Sequence, residues 1–327
     1  MSRVLITSRS FGAISEVGRK MLVEAGFDVR GISPEERPLT EEKLIQILRR
    51  ENPEIVVCGA DPMSQRVMQA SPHLILIMKH GVGVDNIDFL AANHLNILVA
   101  NAPGTNTESV ADFTMAVMLS LLRRVFHAVH STKSGGWERF IGHDLGALTV
   151  GVIGTGRIGR GVIHRLQGFG SQILAYDIVQ NEGLTALPNL QYVSLDELLK
   201  LSDIVTLHVP LVAETNKMIG RRELGLMKRT AFLVNQARAE LVDEAALCDA
   251  LEQNLIAGAA VDVYEVEPPQ SSQLIRFDNV LPTPHIAAYT YESMERMDCM
   301  CAQTIIDTLR GETCLNILNP EVLREHQ

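Results

Sequence analysis

The sequence predicts an α/β protein of two units, each a parallel sheet with helices on both faces. Three observations predict it. Short apolar runs alternate with helical patterns from the first residues, a second series of the same kind opens near residue 148, and a glycine-rich turn follows the first strand of that second series. Alternation of this sort leaves helices to cover both faces of a sheet, whose strands then run parallel. The 327 residues suit about two domains.

In the first series, "VLIT" (4–7), "IVVCG" (55–59), "LILIM" (74–78) and "ILVAN" (97–101) read as buried strands. "ISEVGRKMLVEAG" (14–26) and "EEKLIQILRRE" (41–51) read as helices between them, and Asp61 with Pro62 as an N-cap and first helical residue. The segment "TNTESVADFTMAVMLSLLRR" begins with Thr105 and Glu108 at capping-box spacing. Val110, Phe113, Val117, Met118, Leu121 and Leu122 then fall on most sides of one helix, which predicts a long helix wedged between the two units or packed against a second subunit. That subunit would make the protein a homodimer.

The second series contains "LTVGVIG", "SQILAYD", "DIVTLHV", "TAFLVNQ" and "IAGAAVDV" as strands, with "DEAALCDALEQ" (243–253) as an intervening helix. A last helical pattern, about 290–310, ends at Gly311, a good residue just past a helix. Its place after the second series allows it to cross back to the first unit, which would make that domain discontinuous.

Composition narrows the function. Twenty-nine basic residues against thirty-nine acidic ones give a net charge of −10, which disfavours a nucleic-acid surface. The N-terminus lacks the apolar core of a signal peptide. "MAVMLSLL" (115–122) runs into Arg123 and Arg124 and is too short to span a bilayer. Cys58, Cys248, Cys299, Cys301 and Cys314, an odd number, read as reduced thiols of a cytoplasmic protein, and no metal site is expected.

"LTVGVIGTGRIGRGV" (148–162) places Gly154, Gly156 and Gly159 between a strand and a helix. In that context the first glycine permits the tight turn, the second lets the backbone approach a pyrophosphate, and the third lets the helix sit close to the strand. The next strand ends in Asp177, eighteen residues after Gly159, and "IVQNEG" after it offers no arginine. A carboxylate there accepts hydrogen bonds from a ribose diol and repels a 2′-phosphate, which argues for NAD.

Hydride transfer to a carbonyl needs a group that holds and polarises the substrate and another that delivers a proton. Arg238 in "FLVNQARAELVDEAAL", Glu267 in "AVDVYEVEPP" and His285 in "NVLPTPH" each follow an apolar strand. The strand ends of a doubly wound sheet gather at one edge, above the ligand crevice. Arginine can grip a carboxylate through two hydrogen bonds. A carboxylate beside an imidazole favours its charged form, so His285 can give and take a proton. Taken singly, Arg238 also fits a loop salt bridge, Glu267 a solvated turn and His285 a corner of a core.

Together these residues resemble the D-isomer-specific 2-hydroxyacid dehydrogenases. The resemblance covers nearly the whole chain. It rests on "KHGVGVDNID" (79–88), "NAPGTNTESVAD" (101–112), "GVIGTGRIGR" (151–160), "LHVPLVAET" (207–215), "VNQARAELVDEAAL" (234–247), "DVYEVEPP" (262–269) and "LPTPHIAA" (281–288). It implies a flavodoxin-like substrate-binding domain, 1–100 plus 288–327, and a Rossmann NAD-binding domain, 101–287. It implies Arg238 as the catalytic arginine, Glu267 as the histidine's partner and His285 as acid/base. Val82 and Gly83 match backbone donors to a substrate carboxylate, in a cleft that closes over it. Arg157 and Ile158 match the pyrophosphate turn and Asp177 the adenosine ribose. His208, Val209 and Pro210 line the adenine side, with Thr215 nearby. Ala237, Arg238 and Asp262 match contacts to the nicotinamide end.

Lys79 stands where phosphoglycerate dehydrogenases of the family place a cation for the substrate's phosphate; it reads equally as a surface lysine. The length predicts that the C-terminal regulatory domains of some such enzymes are missing. Glu267, where formate dehydrogenases of this fold have glutamine, points to proton-coupled hydride transfer on a 2-hydroxy or 2-oxo acid. The chain departs from the family at Ala239, usually glycine, and at Tyr289 and Tyr291, either of which could shape selectivity or simply pack. The competing reading is an NAD(H)-responsive binding protein, a corepressor-like scaffold with little turnover; the intact Arg–Glu–His set weighs against it.

Overall fold

The computed structural model describes residues 2–322. The chain divides into two compact units, one of Met1–Asn106 with Tyr289–Gln327, the other of Thr107–Ala288. The first boundary lies a few residues beyond position 100. Asn101 and Ala102 remain with the first unit, their N–H groups donating to Asn316 O (3.3 Å) and Gly81 O (2.9 Å).

The first unit is a sheet of β1 (Arg3–Ile6), β2 (Asp28–Gly31), β3 (Ile55–Cys58), β4 (Leu76–Lys79) and β5 (Leu98–Ala100). All pairs are parallel, in the order β2-β1-β3-β4-β5, the flavodoxin-like arrangement. Every side chain of β3 is buried, as a central strand covered on both faces requires. The sequence missed β2 because it is an edge strand with half-exposed residues, and Asp28 on it carries ion pairs to Arg3 and Arg30 rather than an apolar stripe. Helix Val17–Glu24 packs on helix Tyr291–Leu309, and Gly18 makes the close approach possible: a Cβ there would lie 2.5 Å from Asp298 O. The C-terminal helix starts on a Thr290 cap and is followed by Gly311 in the left-handed region. The expected cap at Asp61–Pro62 is not made. That helix begins at Gln65 on Ser64, and the Asp61 carboxylate accepts from Thr7 Oγ1 (2.7 Å) and Gly59 N–H (3.2 Å).

The second unit is a sheet of β6 (Thr149–Ile153), β7 (Gln172–Tyr176), β8 (Leu190–Tyr192), β9 (Ile204–Leu207), β10 (Phe232–Asn235), β11 (Gly258–Val261) and β12 (Val280–Pro282). Its order is β12-β11-β10-β9-β6-β7-β8, all parallel. Counted from β6 this is the doubly wound dinucleotide-binding order with one strand added at its end, and the direction reverses between β6 and β9. The three-residue β8 lies at the opposite edge, incompletely buried, and has no periodicity to announce it.

Helix Thr107–Leu122 packs on helix Arg157–Phe169. It begins two residues after Thr105, whose hydroxyl donates to Ala102 O (2.8 Å). It is not apolar all round. Glu108 and Asp112 form an exposed stripe, and both ion-pair with Arg165 (2.7 and 2.6 Å). Among the described residues no helix is long and apolar enough to cross a membrane, and all five cysteines are free thiols.

Candidate active site

The turn after β6 carries the glycines. Gly154 has φ +94°, and a Cβ there would lie 2.7 Å from the His208 carbonyl carbon, so only glycine lets the chain pass the end of β9. At Gly159 a Cβ would lie 1.9 Å from Gly154 O, which is how closely the helix Arg157–Phe169 sits on the turn. Gly156 faces open space, with nothing within 4 Å of a Cβ. Arg157 and Ile158 open the helix, whose first N–H groups have no intrahelical acceptor and whose positive dipole end suits an anion.

Asp177 follows β7. Its Oδ2 accepts from Thr155 N–H (2.6 Å) and Thr155 Oγ1 (3.0 Å), and among the described residues its Oδ1 accepts only from Val179 N–H (3.3 Å). On the other side of β6, His208, Val209 and Pro210 leave the end of β9. The His208 ring is not wholly covered, yet desolvation pushes its pKa down to about 3, so it is neutral and shares a 3.0 Å hydrogen bond between Nε2 and Thr206 Oγ1. Thr215 closes the following loop, its hydroxyl donating to Pro210 O (2.7 Å) and accepting from Val212 N–H (2.9 Å).

The adjacent strands β10, β11 and β12 each deliver one reactive side chain from their carboxyl ends. After β10, buried Asn235 clamps the loop: its Oδ1 accepts Ala237 N–H (3.1 Å) and its Nδ2 donates to Arg238 O (2.8 Å). Arg238 Nη1 donates to Ala237 O (2.7 Å). After β11, Glu267 Oε1 accepts Tyr264 N–H (3.3 Å). After β12, His285 Nδ1 lies 3.0 Å from both carboxylate oxygens of Glu267. A carboxylate can only accept, so Nδ1 carries the hydrogen and Nε2 is left with its lone pair uncommitted among the described residues. Half of the histidine side-chain surface stays exposed, at 50%. Partial burial raises the Glu267 pKa, but the His285 hydrogen bond and charge, the Tyr264 N–H and the Arg238 charge outweigh it and hold the carboxyl below its ordinary range.

His285 has φ +52°, a left-handed conformation that costs a non-glycine residue about 1–2 kcal/mol. Asp262 holds it there. This fully buried carboxylate accepts from Thr283 Oγ1 (2.6 Å), Ile286 N–H (2.9 Å) and Ala287 N–H (2.9 Å), gripping the chain on both sides of the histidine. The resemblance places Asp262 at the nicotinamide end; the contacts it makes are with the histidine turn.

A family model described as "D-isomer specific 2-hydroxyacid dehydrogenase, NAD binding domain" matches residues 115–287. The chain is 39% identical over 319 residues to a glyoxylate reductase of Thermofilum pendens, covering 95% of this chain and 94% of the relative. It is 40% identical over 291 residues to a D-3-phosphoglycerate dehydrogenase of Methanocaldococcus jannaschii, covering 88% of this chain and 55% of the relative. Among solved structures, the D-lactate dehydrogenase of Aquifex aeolicus, complexed with NAD and lactic acid, superposes with a TM-score of 0.83 at 30% identity, covering 97% of this chain and 99% of that one.

The chain belongs to the D-isomer-specific 2-hydroxyacid dehydrogenase family. It is an NAD-dependent oxidoreductase that acts on the CH–OH group of 2-hydroxy acids, with NAD as cofactor. The turn at Gly154–Gly159 fits that cofactor: Gly156 faces open space beside the free helix N–H groups, and Asp177 Oδ1 is only lightly engaged.

The enzyme's remaining predicted residues belong to the five-stranded unit. Among the described residues the N–H groups of Val82 and Gly83, past the end of β4, have no acceptor. The turn is held from behind by Asn101 Nδ2 donating to Val82 O (2.6 Å) and Ala102 N–H to Gly81 O. Two adjacent N–H groups without an acceptor can together donate to a carboxylate. Lys79 is not a loose surface cation: its Nζ donates to Gly59 O (2.5 Å) and Asn86 Oδ1 (2.6 Å). Tyr289 and Tyr291 are both exposed. No group of three or more His, Cys, Asp or Glu among the described residues could hold a metal. Sequence reasoning missed Asn235 and Thr283; the only signal was a polar residue ending an apolar strand and a threonine two before the histidine.

Proposed function

We propose that Arg238 and His285, with Glu267, form the catalytic set of a 2-oxoacid reductase. NADH held there would supply the hydride for reduction, and NAD+ would accept it in the reverse direction. Arg238 grips and polarises the substrate, and His285 gives a proton from Nε2 to the carbonyl oxygen and takes it back in the reverse reaction. Glu267 fixes the tautomer and ring orientation. The observation that carries this reading is an imidazole held at one nitrogen by a carboxylate while half of its side-chain surface stays open. We assign the pyrophosphate to Gly154, Gly156, Arg157, Ile158 and Gly159, the ribose to Asp177, and the adenine side to His208, Val209, Pro210 and Thr215. Ala237 is assigned to the nicotinamide end, and Val82 and Gly83 to the substrate carboxylate.

We assign NAD binding to the seven-stranded unit, Thr107–Ala288, and substrate binding to the five-stranded unit. Relatives named glyoxylate reductase and D-3-phosphoglycerate dehydrogenase support a small 2-oxo acid as substrate. Exposed Trp137 (79%) and Ile141 (93%), after a helix with exposed Val125 and Val129, support a homodimer. The free thiols support a cytoplasmic location. NADH oxidation over glyoxylate, pyruvate, hydroxypyruvate and phosphohydroxypyruvate tests the reading. Turnover of at least one, lost in His285→Ala, is expected; a His285→Ala enzyme of normal rate would refute it. Sedimentation of the wild type against Trp137→Asp tests the dimer, and a wild-type monomer would refute that part.

A further inference from the structure

We infer that the five-stranded unit carries a binding pocket for a phosphate-sized dianion at the carboxyl ends of β1 and β2. A cavity of about 400 Å³ there is lined by Ser8, Arg9, Phe11, Arg19, Gly31 and Arg37, among others. Three arginines on separate stretches of chain thus line one small space. Among the described residues none of the three has a carboxylate within ion-pair distance. The nearby acids are committed elsewhere: Glu36 pairs with Arg50 (2.8 Å), Glu35 turns back on Ser33, and Asp61 takes Thr7 Oγ1 and Gly59 N–H. Uncompensated like charges repel one another, and an anion of matching size relieves that repulsion while accepting charge-assisted hydrogen bonds.

The pocket is built on a rigid rim. Ser10 Oγ lies 2.8 Å from His80 Nδ1, and His80 Nε2 2.7 Å from Asp298 Oδ1. Asp298 Oδ2 accepts Gly12 N–H (3.1 Å), and Phe11 stands edge-on to the His80 ring. The loop that displays Arg9 is therefore fastened on both sides of it. Arg37 is oriented by donating Nη2 to Thr7 O (2.6 Å). The Arg9 and Arg19 side chains make no hydrogen bond among the described residues and both residues are exposed, so both can close on a ligand from solvent. Lys79, the cation that the sequence suggested for a second anionic group, already donates to Gly59 O and Asn86 Oδ1. Phe11, Ile6 and Ile32 add apolar lining that suits a short carbon chain, so the ligand class is inorganic phosphate or a small phosphate monoester.

Isothermal titration of the full-length protein with inorganic phosphate at low ionic strength tests the pocket. One saturable site is expected, weakened at least about tenfold in Arg9→Met/Arg19→Met, since a hydrogen bond to a charged group is worth about 1.5–3 kcal/mol. No saturable binding, or equal binding by the double variant with an unchanged melting temperature, would overturn the inference. Two sources of the phosphate are separated by kinetics. If it belongs to the substrate, inorganic phosphate competes with phosphohydroxypyruvate, and the double variant loses far more kcat/KM on that substrate than on pyruvate. If it is a free ligand, saturable binding persists and the two substrates are affected alike. A wild type that binds phosphate yet reduces no 2-oxo acid would refute the catalytic assignment and leave the pocket standing.

Discussion

Among the described residues, two imidazole–carboxylate pairs share a similar geometry and differ in burial. In the seven-stranded unit His285 Nδ1 sits 3.0 Å from Glu267, with side-chain exposures of 50% and 40%. In the five-stranded unit His80 Nε2 sits 2.7 Å from Asp298, with both side chains fully buried. The buried pair also uses its other atoms, His80 Nδ1 on Ser10 and Asp298 Oδ2 on Gly12 N–H. It ties the loop after β1 and the residue before the Gly81–Gly83 turn to the C-terminal helix. The exposed pair leaves one ring nitrogen uncommitted. Under the proposed mechanism, access rather than the distance between ring and acid separates the acid/base histidine from the fastening one.

Four experiments break or sharpen that contrast. Asp298→Ala is expected to cost the most stability, about 3 kcal/mol, because it strands a buried imidazole and the half-buried Gly12 N–H. A urea midpoint unchanged from wild type would show that the buried pair fastens nothing. His285→Ala and Arg238→Ala are each expected to cut kcat at least about a hundredfold while leaving the melting temperature nearly constant, as measured by stopped assays and calorimetry. Glu267→Gln is expected to lower turnover by about tenfold, because the ring loses the carboxylate that fixes its Nδ1 hydrogen and its orientation. The Glu267 pKa is held below its ordinary value in the fold. Its contribution to stability is therefore present above the unfolded value and lost only as pH falls through the lowered one. Acid titration of the wild type should accordingly show a stability loss that Glu267→Gln lacks. The smallest effect is expected for His285→Gly measured against His285→Ala. Both are inactive, but glycine relieves the left-handed backbone and unfolds at a higher urea concentration, by about 1 kcal/mol. Equal midpoints would mean that Asp262 imposes no strain on the turn.

The central strands were legible because a strand covered on both faces must be apolar throughout, as β3 is. The edge strands β2 and β8 were not, since residues such as Asp28 and Arg30 satisfy no periodic pattern. The nucleotide turn was legible to the residue. Gly154 and Gly159 are demanded by backbone approaches of 2.7 and 1.9 Å that no side chain survives, so their spacing is written into the chain. Arg238, Glu267 and His285 were legible only as three strand ends, and the parallel order of β10, β11 and β12 brings them to one edge.

By itself, then, the sequence determined what local chemistry dictates: which runs are strands, where only glycine fits, and which side chains stand at strand ends. Tertiary structure alone decided what those side chains touch. Asp262 meets donors 21 to 25 residues away, Asp298 meets a histidine 218 residues away, and Arg9, Arg19 and Arg37 share a cavity that no spacing between them announces. The physical reason is that hydrogen-bond partners and burial depend on distances across packed elements, which chain order does not record.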